Sequence, residues 1–259
     1  MHPIDTPDWL EPLIEHEAFY FAFAGELEKT EAAWFLQGDV LYDYGDANHA
    51  FRLRDDGRGA NAVVDAIIRY YQKSRRRVIA DVDVVAEAQG IGAALRQRGI
   101  MPVLGSMSFM RYPHTSAPPR KNLRVQVQEI PKEGRLLEHW IDIVGGNDDD
   151  AEKWRRVARA EAAFPATRLY MGFLEGIPVG TCSLISGLGW GRIESVMTVA
   201  LYRRMGVATS LVCRAIADSL VMGNAVTYLF TESGGMGEAL YRDMGFEVVA
   251  KNPFRRHLE

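Results

Sequence analysis

Cysteine is scarce in this 259-residue chain: there are two, Cys182 and Cys213, far apart and each in a segment of core-like pattern. That count excludes a disulfide framework, and buried thiols in a reducing compartment are expected. Long hydrophobic runs are also lacking. No apolar stretch approaches the ~20 residues of a bilayer-crossing helix, and the acidic, polar N-terminal stretch does not read as a secretory signal. A cytoplasmic protein without membrane contact is expected. Nor is there a basic excess: the net charge of −4 argues against a nucleic-acid binder, which needs surplus lysine and arginine for phosphate contacts. The histidines, His2, His16, His49, His114, His139 and His257, form no i, i+4 pair and have no cysteine neighbour, so no metal site is expected. A Gly-x-Ser-x-Gly elbow is missing, which argues against an α/β-hydrolase.

What is present is ordinary globular material, with 47% hydrophobic residues, enough for a full core in one large domain or two smaller ones. The stretch 113–122 is dense in proline and small polar residues and lacks either hydrophobic period, so it reads as a linker between domains 1–112 and 123–259. In the second segment, strict alternation over 123–130 predicts a strand. Helices follow over 136–144 and 151–163, the latter after the acidic run 148–150. Strands over 168–173 and 179–185 flank the hairpin signal Glu175-Gly176.

The most informative stretch comes next. A β-branched, alternating run over 193–199 breaks at a basic, glycine-containing turn, and Val207, Leu211, Val212 and Ile216 then fall on one helical face. Gly206 thus stands where a strand becomes a helix. The first amides of a helix have no internal acceptor, and the helix dipole adds positive charge there, so an anion is stabilised against them. Arg203 and Arg204 add charge, and Gly206 and Ala208 let the backbone be approached closely. A diphosphate fits this chemistry.

These residues resemble the GCN5-related N-acetyltransferases, whose motif for acetyl-coenzyme A is Arg/Gln-x-x-Gly-x-Gly/Ala at a strand-to-helix junction. Arg203-Arg204-Met205-Gly206-Val207-Ala208 matches it position for position. Downstream, a strand over 225–231 and a helix over 236–244 end in Leu240-Tyr241-Arg242-Asp243-Met244-Gly245-Phe246, which matches the family's Leu-Tyr-x-x-x-Gly-Phe. Two departures stand out: Ala200 occupies the region where the family has a proline, and Ser233-Gly234-Gly235 replaces a helix-start asparagine. The resemblance covers residues 123–259. It implies an α/β fold of the α+β type, with a mixed, mostly antiparallel central sheet flanked by helices.

The N-terminal segment repeats part of this order. Helix 60–73, strand 78–85, helix 87–97 with Gly99 as C-cap, and strand 102–112 make it look like a degenerate acetyltransferase-like half. Gln89-Gly90-Ile91-Gly92 echoes the cradle superficially, but it lacks an arginine in the turn and aligns better with the helix leading to Gly99-Ile100, so a covering role is expected of this half. Arg75-Arg76-Arg77 reads as a helix C-terminal cap and Arg255-Arg256 as a solvated tail.

The resemblance implies acetyl-coenzyme A as cosubstrate, held by Arg203, Arg204, Met205, Gly206, Val207, Ala208 and Thr209, with the amides of Met197, Thr198 and Val199 pairing with its pantetheine arm. Glu194, a charged residue in the strand leading to the cradle, is the candidate base, and an ion pair with Arg192 is its plain structural alternative. Tyr241 matches the family tyrosine that hydrogen-bonds or protonates the coenzyme sulfur, and a core aromatic is the alternative there. Trp190, in a glycine-rich loop, is a candidate wall of the acceptor cleft, whereas Trp140 and Trp154 read as core. The function implied is acetyl transfer to a primary amine of a small molecule by direct attack in a ternary complex, with a homodimer left open. A non-catalytic coenzyme A sensor or interaction module, and a transferase of the same fold using another acyl group or acceptor, are the rival readings.

Overall fold

The computed structural model describes residues 6–115, 121–147 and 149–259. The chain begins with helix α1 (Leu10–Tyr20), strands β1 (Glu26–Lys29), β2 (Trp34–Gln37) and β3 (Ala50–Phe51), helix α2 (Ala60–Lys73) and strand β4 (Ile79–Val82). Helices α3 (Val84–Ala88) and α4 (Ile91–Gln97) and strands β5 (Met101–Pro102) and β6 (Met107–Tyr112) follow. Then come β7 (Val125–Ile130), α5 (Arg135–Gly145), α6 (Ala151–Ala163), β8 (Thr167–Leu174), β9 (Ile177–Gly187) and β10 (Trp190–Thr198). The chain finishes with α7 (Val207–Val221), β11 (Val226–Glu232), α8 (Met236–Asp243), β12 (Glu247–Lys251) and β13 (Arg255–Leu258).

Two compact units divide these elements: residues up to Ser106 together with Asn252–Glu259, and Met107–Lys251. Each has its own sheet, ordered β1-β2-β3-β4-β13-β5 in the first and β12-β6-β11-β10-β9-β8-β7 in the second. Both are antiparallel except for one parallel pair, β3 with β4 and β10 with β11. Each parallel pair is joined by a crossover helix, α2 or α7, as parallel strands require.

The division differs from one at 112 and 123. Strand β6 belongs to the second sheet, where it pairs with both β11 and β12. The chain's last strand returns to the first sheet, between β4 and β5. Arg256 is therefore no solvated tail: its guanidinium takes both carboxylate oxygens of Asp81, at 2.8 and 2.7 Å, and also binds Asp46. Residues 116–120 of the predicted linker, and Asp148 of the acidic run, lie outside the described residues.

Local chemistry explains the other differences. The strand expected over 78–85 stops early because Asp83 caps α3, its carboxylate accepting from the amides of Val85 and Ala86. One helix expected over 87–97 is two, broken at Gly90 in the left-handed conformation. Helix α2 ends at Lys73, and Arg76, instead of capping it, donates to the Gly38 carbonyl across the unit.

In the second unit the sheet has an apolar layer on each face. Leu169, Met171 and Phe173 of β8 pack with Trp140 and Ile141 of α5 and Ala158 and Ala162 of α6. On the other face, Tyr170 of β8 and Cys182 and Leu184 of β9 pack with Leu211, Val212 and Ala215 of α7 and Tyr241 of α8. Trp154, expected in the core, is exposed on α6. Glycines set how closely α7 approaches: a Cβ on Gly180 would lie 2.7 Å from both the Met197 carbonyl oxygen and Val207 Cγ1.

Candidate active site

The parallel pair β10·β11 is short. It runs from Trp190 to Arg192 against Val226 to Tyr228, and beyond Arg192 the strand β10 continues to Thr198 paired with β9 alone. Over the same stretch β11 is held on its other side by β6, through Glu232. The sheet thus opens between the C-terminal ends of two parallel strands, the position where α/β sheets take ligands.

A bulge marks the opening. The register between β9 and β10 shifts between Glu194 and Met197, and Ser195 within it has φ +51°, left-handed for a residue with a side chain. Strain of this kind persists where the surroundings impose it, and such positions concentrate at functional sites. Past the bulge, Val199 donates its amide to Val179 at 3.0 Å. Alternation along the strand turns the Thr198 amide the other way, into the opening. Of the three residues expected to offer amides to a ligand, Val199 is therefore corrected: its amide ties β10 to β9.

The chain then makes a 3-10 turn over Ala200–Tyr202, in place of the family's proline, and enters α7 through Gly206 at φ +74°. No side chain caps this helix. Val207, Ala208 and Thr209 are its first residues, and the amide of Ser210 is already taken by the Gly206 carbonyl. Arg203, Arg204 and Met205 are exposed beside them. The residues expected to cradle an anion are thus brought together, charged and open. Packing gives a further reason for glycine, since a Cβ on Gly206 would lie 3.0 Å from Asn122 Cβ, a tight contact. Asn122 also donates to the Met205 carbonyl at 2.9 Å, which fixes the loop. A cavity of about 370 Å³ opens alongside, between Asn122, Tyr202, Met205 and the Glu175 hairpin.

The opening carries acid on one face of the sheet and a phenol on the other. Arg192 Nε donates to Glu194 at 2.7 Å, so the ion pair expected as the plain alternative for Glu194 is present. The same guanidinium lies 5.2 Å from the centre of the Phe230 ring. Glu161 was not singled out from the sequence, yet it is 3% exposed on α6 and accepts from the hydroxyls of Ser183, at 2.5 Å, and Ser195, at 3.2 Å to each oxygen. Burial, reinforced by the Glu194 charge, pushes its carboxyl up to about 7, against the pull of the two hydroxyls and of Arg192. The available signal was a lone glutamate on the apolar face of a helix, beside Val157, Ala158 and Ala162.

Tyr241 is buried on α8 with its ring 5.7 Å from that of Phe246. Burial raises its phenol above the usual range, with further push from Cys182 and Glu194, so the proton stays on at neutral pH. It belongs to the apolar layer on the α7 side of the sheet. Trp190 is not at the opening: it begins β10, at the paired end, and meets Tyr228 edge-on at 5.6 Å.

No protein-family model matches the sequence, and no curated protein does. Solved structures match in shape. A GCN5-related N-acetyltransferase from Kribbella flavida superposes with a TM-score of 0.70 over 96% of this chain and 95% of its own, at 15% identity. Another from Sphaerobacter thermophilus gives 0.63 over 88% and 76%, at 19% identity. The chain has the GCN5-related N-acetyltransferase fold.

A tandem protein of that fold, from the clavulanic acid biosynthesis pathway, gives a TM-score of 0.57 over 82% of this chain and 74% of its own, at 12% identity. The first unit has a strand-to-helix junction of its own. There Arg54-Asp55-Asp56-Gly57-Arg58-Gly59 has the same spacing as 203–208 and leads from β3 into α2. Its amides are already taken: the Asp55 carboxylate accepts from those of Gly57, at 3.0 Å, and Gly59, at 2.7 Å. Gln89, from the stretch that echoed a cradle in sequence, accepts from the Asp55 amide at 2.9 Å. Among the described residues no group of three or more His, Cys, Asp or Glu is placed to hold a metal ion, and no helix is long and apolar enough to cross a membrane.

Proposed function

We propose that this protein is an acyltransferase that moves acetyl from acetyl-coenzyme A to a primary amine of a small molecule, by direct attack in a ternary complex. The observation that carries this reading is the opening of β10 from β11 at a bulge, leading directly into an uncapped helix through a left-handed glycine. An anion fits the exposed arginines and the free amides of α7, and an extended chain fits the unpaired edge of β10.

In this reading Arg203, Arg204 and Met205 to Thr209 hold the diphosphate, and Thr198, with Met197 beside it, positions the pantetheine arm. The thioester supplies an activated acetyl group whose leaving sulfur needs a proton. In this reading Tyr241, kept protonated by its buried setting, gives one. Glu194, whose charge Arg192 balances, stands as a polar wall for the acceptor amine. The first unit serves as an acetyltransferase-like half whose junction amides are taken by its own Asp55.

The test is thiol release from acetyl-coenzyme A across a panel of primary amines. Release that depends on the amine, and that falls at least tenfold in Tyr241→Phe, supports the reading. Binding of the coenzyme without release from any amine supports a sensor.

A further inference from the structure

Of the ionisable groups around the opening, Glu194 is committed to a cation, and Glu161 is held by hydroxyls on the same face of the sheet. A buried carboxylate is an expensive structural device, because hydroxyl donors offset only part of its lost hydration. The partner it reaches is Ser195, the strained residue of the bulge, which is itself only half-buried. The bulge is pinned from β9 as well, where the Thr181 hydroxyl donates to the Ser195 carbonyl at 2.9 Å. Three elements, α6, β9 and β10, thus converge to hold one carboxylate against one hydroxyl where the sheet parts.

We infer that Glu161 is the store for the proton that the attacking amine must lose, reached through the Ser195 hydroxyl, and that the acceptor therefore arrives as an ammonium ion. This rests on the transferase reading above. Ser195, which touches the substrate, is the catalytic residue of the pair, and Glu161 is the positioning residue behind it. The ammonium gives a proton to Ser195 Oγ as that hydroxyl passes its own to Glu161. The freed lone pair then forms the C–N bond to the acetyl carbon while the C–S bond breaks. Sulfur keeps the electron pair and takes the Tyr241 proton, the nitrogen's second proton restores Tyr241, and Glu161 releases its proton to solvent.

The charged and titratable groups facing Glu161 are Glu194 and Arg192 on β10 and Cys182 on β9. The Glu194 charge and burial raise its proton affinity, and Arg192 opposes them. A base poised this way accepts a proton readily and gives it back at neutral pH.

The test uses the full chain and three measurements. Glutamate side-chain carboxyl carbons, labelled with ¹³C, should show one resonance titrating near neutrality that is absent in Glu161→Gln and displaced in Ser195→Ala. Thiol release with a panel of aliphatic and arylalkyl amines should fall about 100-fold in Glu161→Gln, with loss of the limb of the pH–rate profile near 7. Calorimetric affinity for acetyl-coenzyme A should be unchanged in both variants. A Glu161 carboxyl that titrates in the ordinary range below 5, or a Glu161→Gln protein with wild-type rate and pH limb, overturns the inference and leaves the transferase reading standing. If the wild type releases no thiol with any amine, that reading falls and this inference with it.

Discussion

Asn122 occupies the space that a side chain on Gly206 would need, with its Cβ 3.0 Å from the position a Cβ would take. The contact joins the segment before β7 to the entrance of α7, and the Asn122 amide group completes it by donating to the Met205 carbonyl. Glycine is demanded twice here, by the left-handed backbone at φ +74° and by the neighbour. Gly206→Ala is expected to destabilise the protein by about 1–3 kcal/mol, and Gly206→Trp to abolish coenzyme binding as well. Denaturant unfolding and calorimetry of both variants check this. Unchanged coenzyme affinity in Gly206→Trp would count against the cradle.

Glu161→Gln should raise stability while lowering activity. The folded carboxyl titrates at about 7 against an ordinary value of 4.5. A raised carboxyl affinity means that the folded state binds the extra proton, so native stability falls as pH rises from about 4.5 to 7 and stays low above it. Gln carries no charge and escapes that loss. The variant should be more stable than the wild type by about 3 kcal/mol at pH 8, with the gain shrinking towards zero near pH 4.5. Unfolding curves at several pH values measure it, and a variant destabilised at pH 8 would mark Glu161 as a structural group.

Arg256→Met should destabilise the first unit by about 2–3 kcal/mol, because Asp81 and Asp46 lose the cation that balances them in a largely buried place. Against the upward push of burial, Arg256 holds Asp46 down to about 2 and lowers Asp81. The sign follows: their contribution is present above pH ~4, the unfolded carboxylate value, and is lost as pH falls through the folded values. Acid unfolding of the wild type should therefore begin below pH 4, and the variant should show a smaller pH dependence there.

One coenzyme molecule per chain is expected, although the spacing of the cradle occurs twice. In the first unit Asp55 already satisfies the Gly57 and Gly59 amides, and its charge repels a diphosphate. Calorimetric stoichiometry near one, with binding lost in Gly206→Trp, is the predicted result. A second site of similar affinity would show that Asp55 gives way.

The parts legible in the sequence were those encoded by neighbours. Helices α5 and α6, the Glu175-Gly176 turn and the crossover into α7 follow from local period and turn chemistry, and the Leu240 to Phe246 frame from the family resemblance. Non-local pairing was not legible. Nothing in the β6 or β13 segments says that each sits in the sheet of the other half, because the strands they pair with lie far away in sequence. The role of Glu161 was hidden for the same reason. Its partners, Ser183 and Ser195, lie 22 and 34 positions away, and a bulge that turns Ser195 towards it has no period of its own. The Arg54 to Gly59 junction was readable from spacing alone, but only the geometry assigns the Asp55 carboxylate to its amides.

The most direct measurement is calorimetric titration of the full chain with acetyl-coenzyme A, with coenzyme A and a nicotinamide dinucleotide alongside. The account predicts one site of micromolar affinity, about −8 kcal/mol, for both coenzyme A species and none for the dinucleotide. No binding of either coenzyme A species would contradict it, leaving an acetyltransferase fold whose opened sheet holds something else.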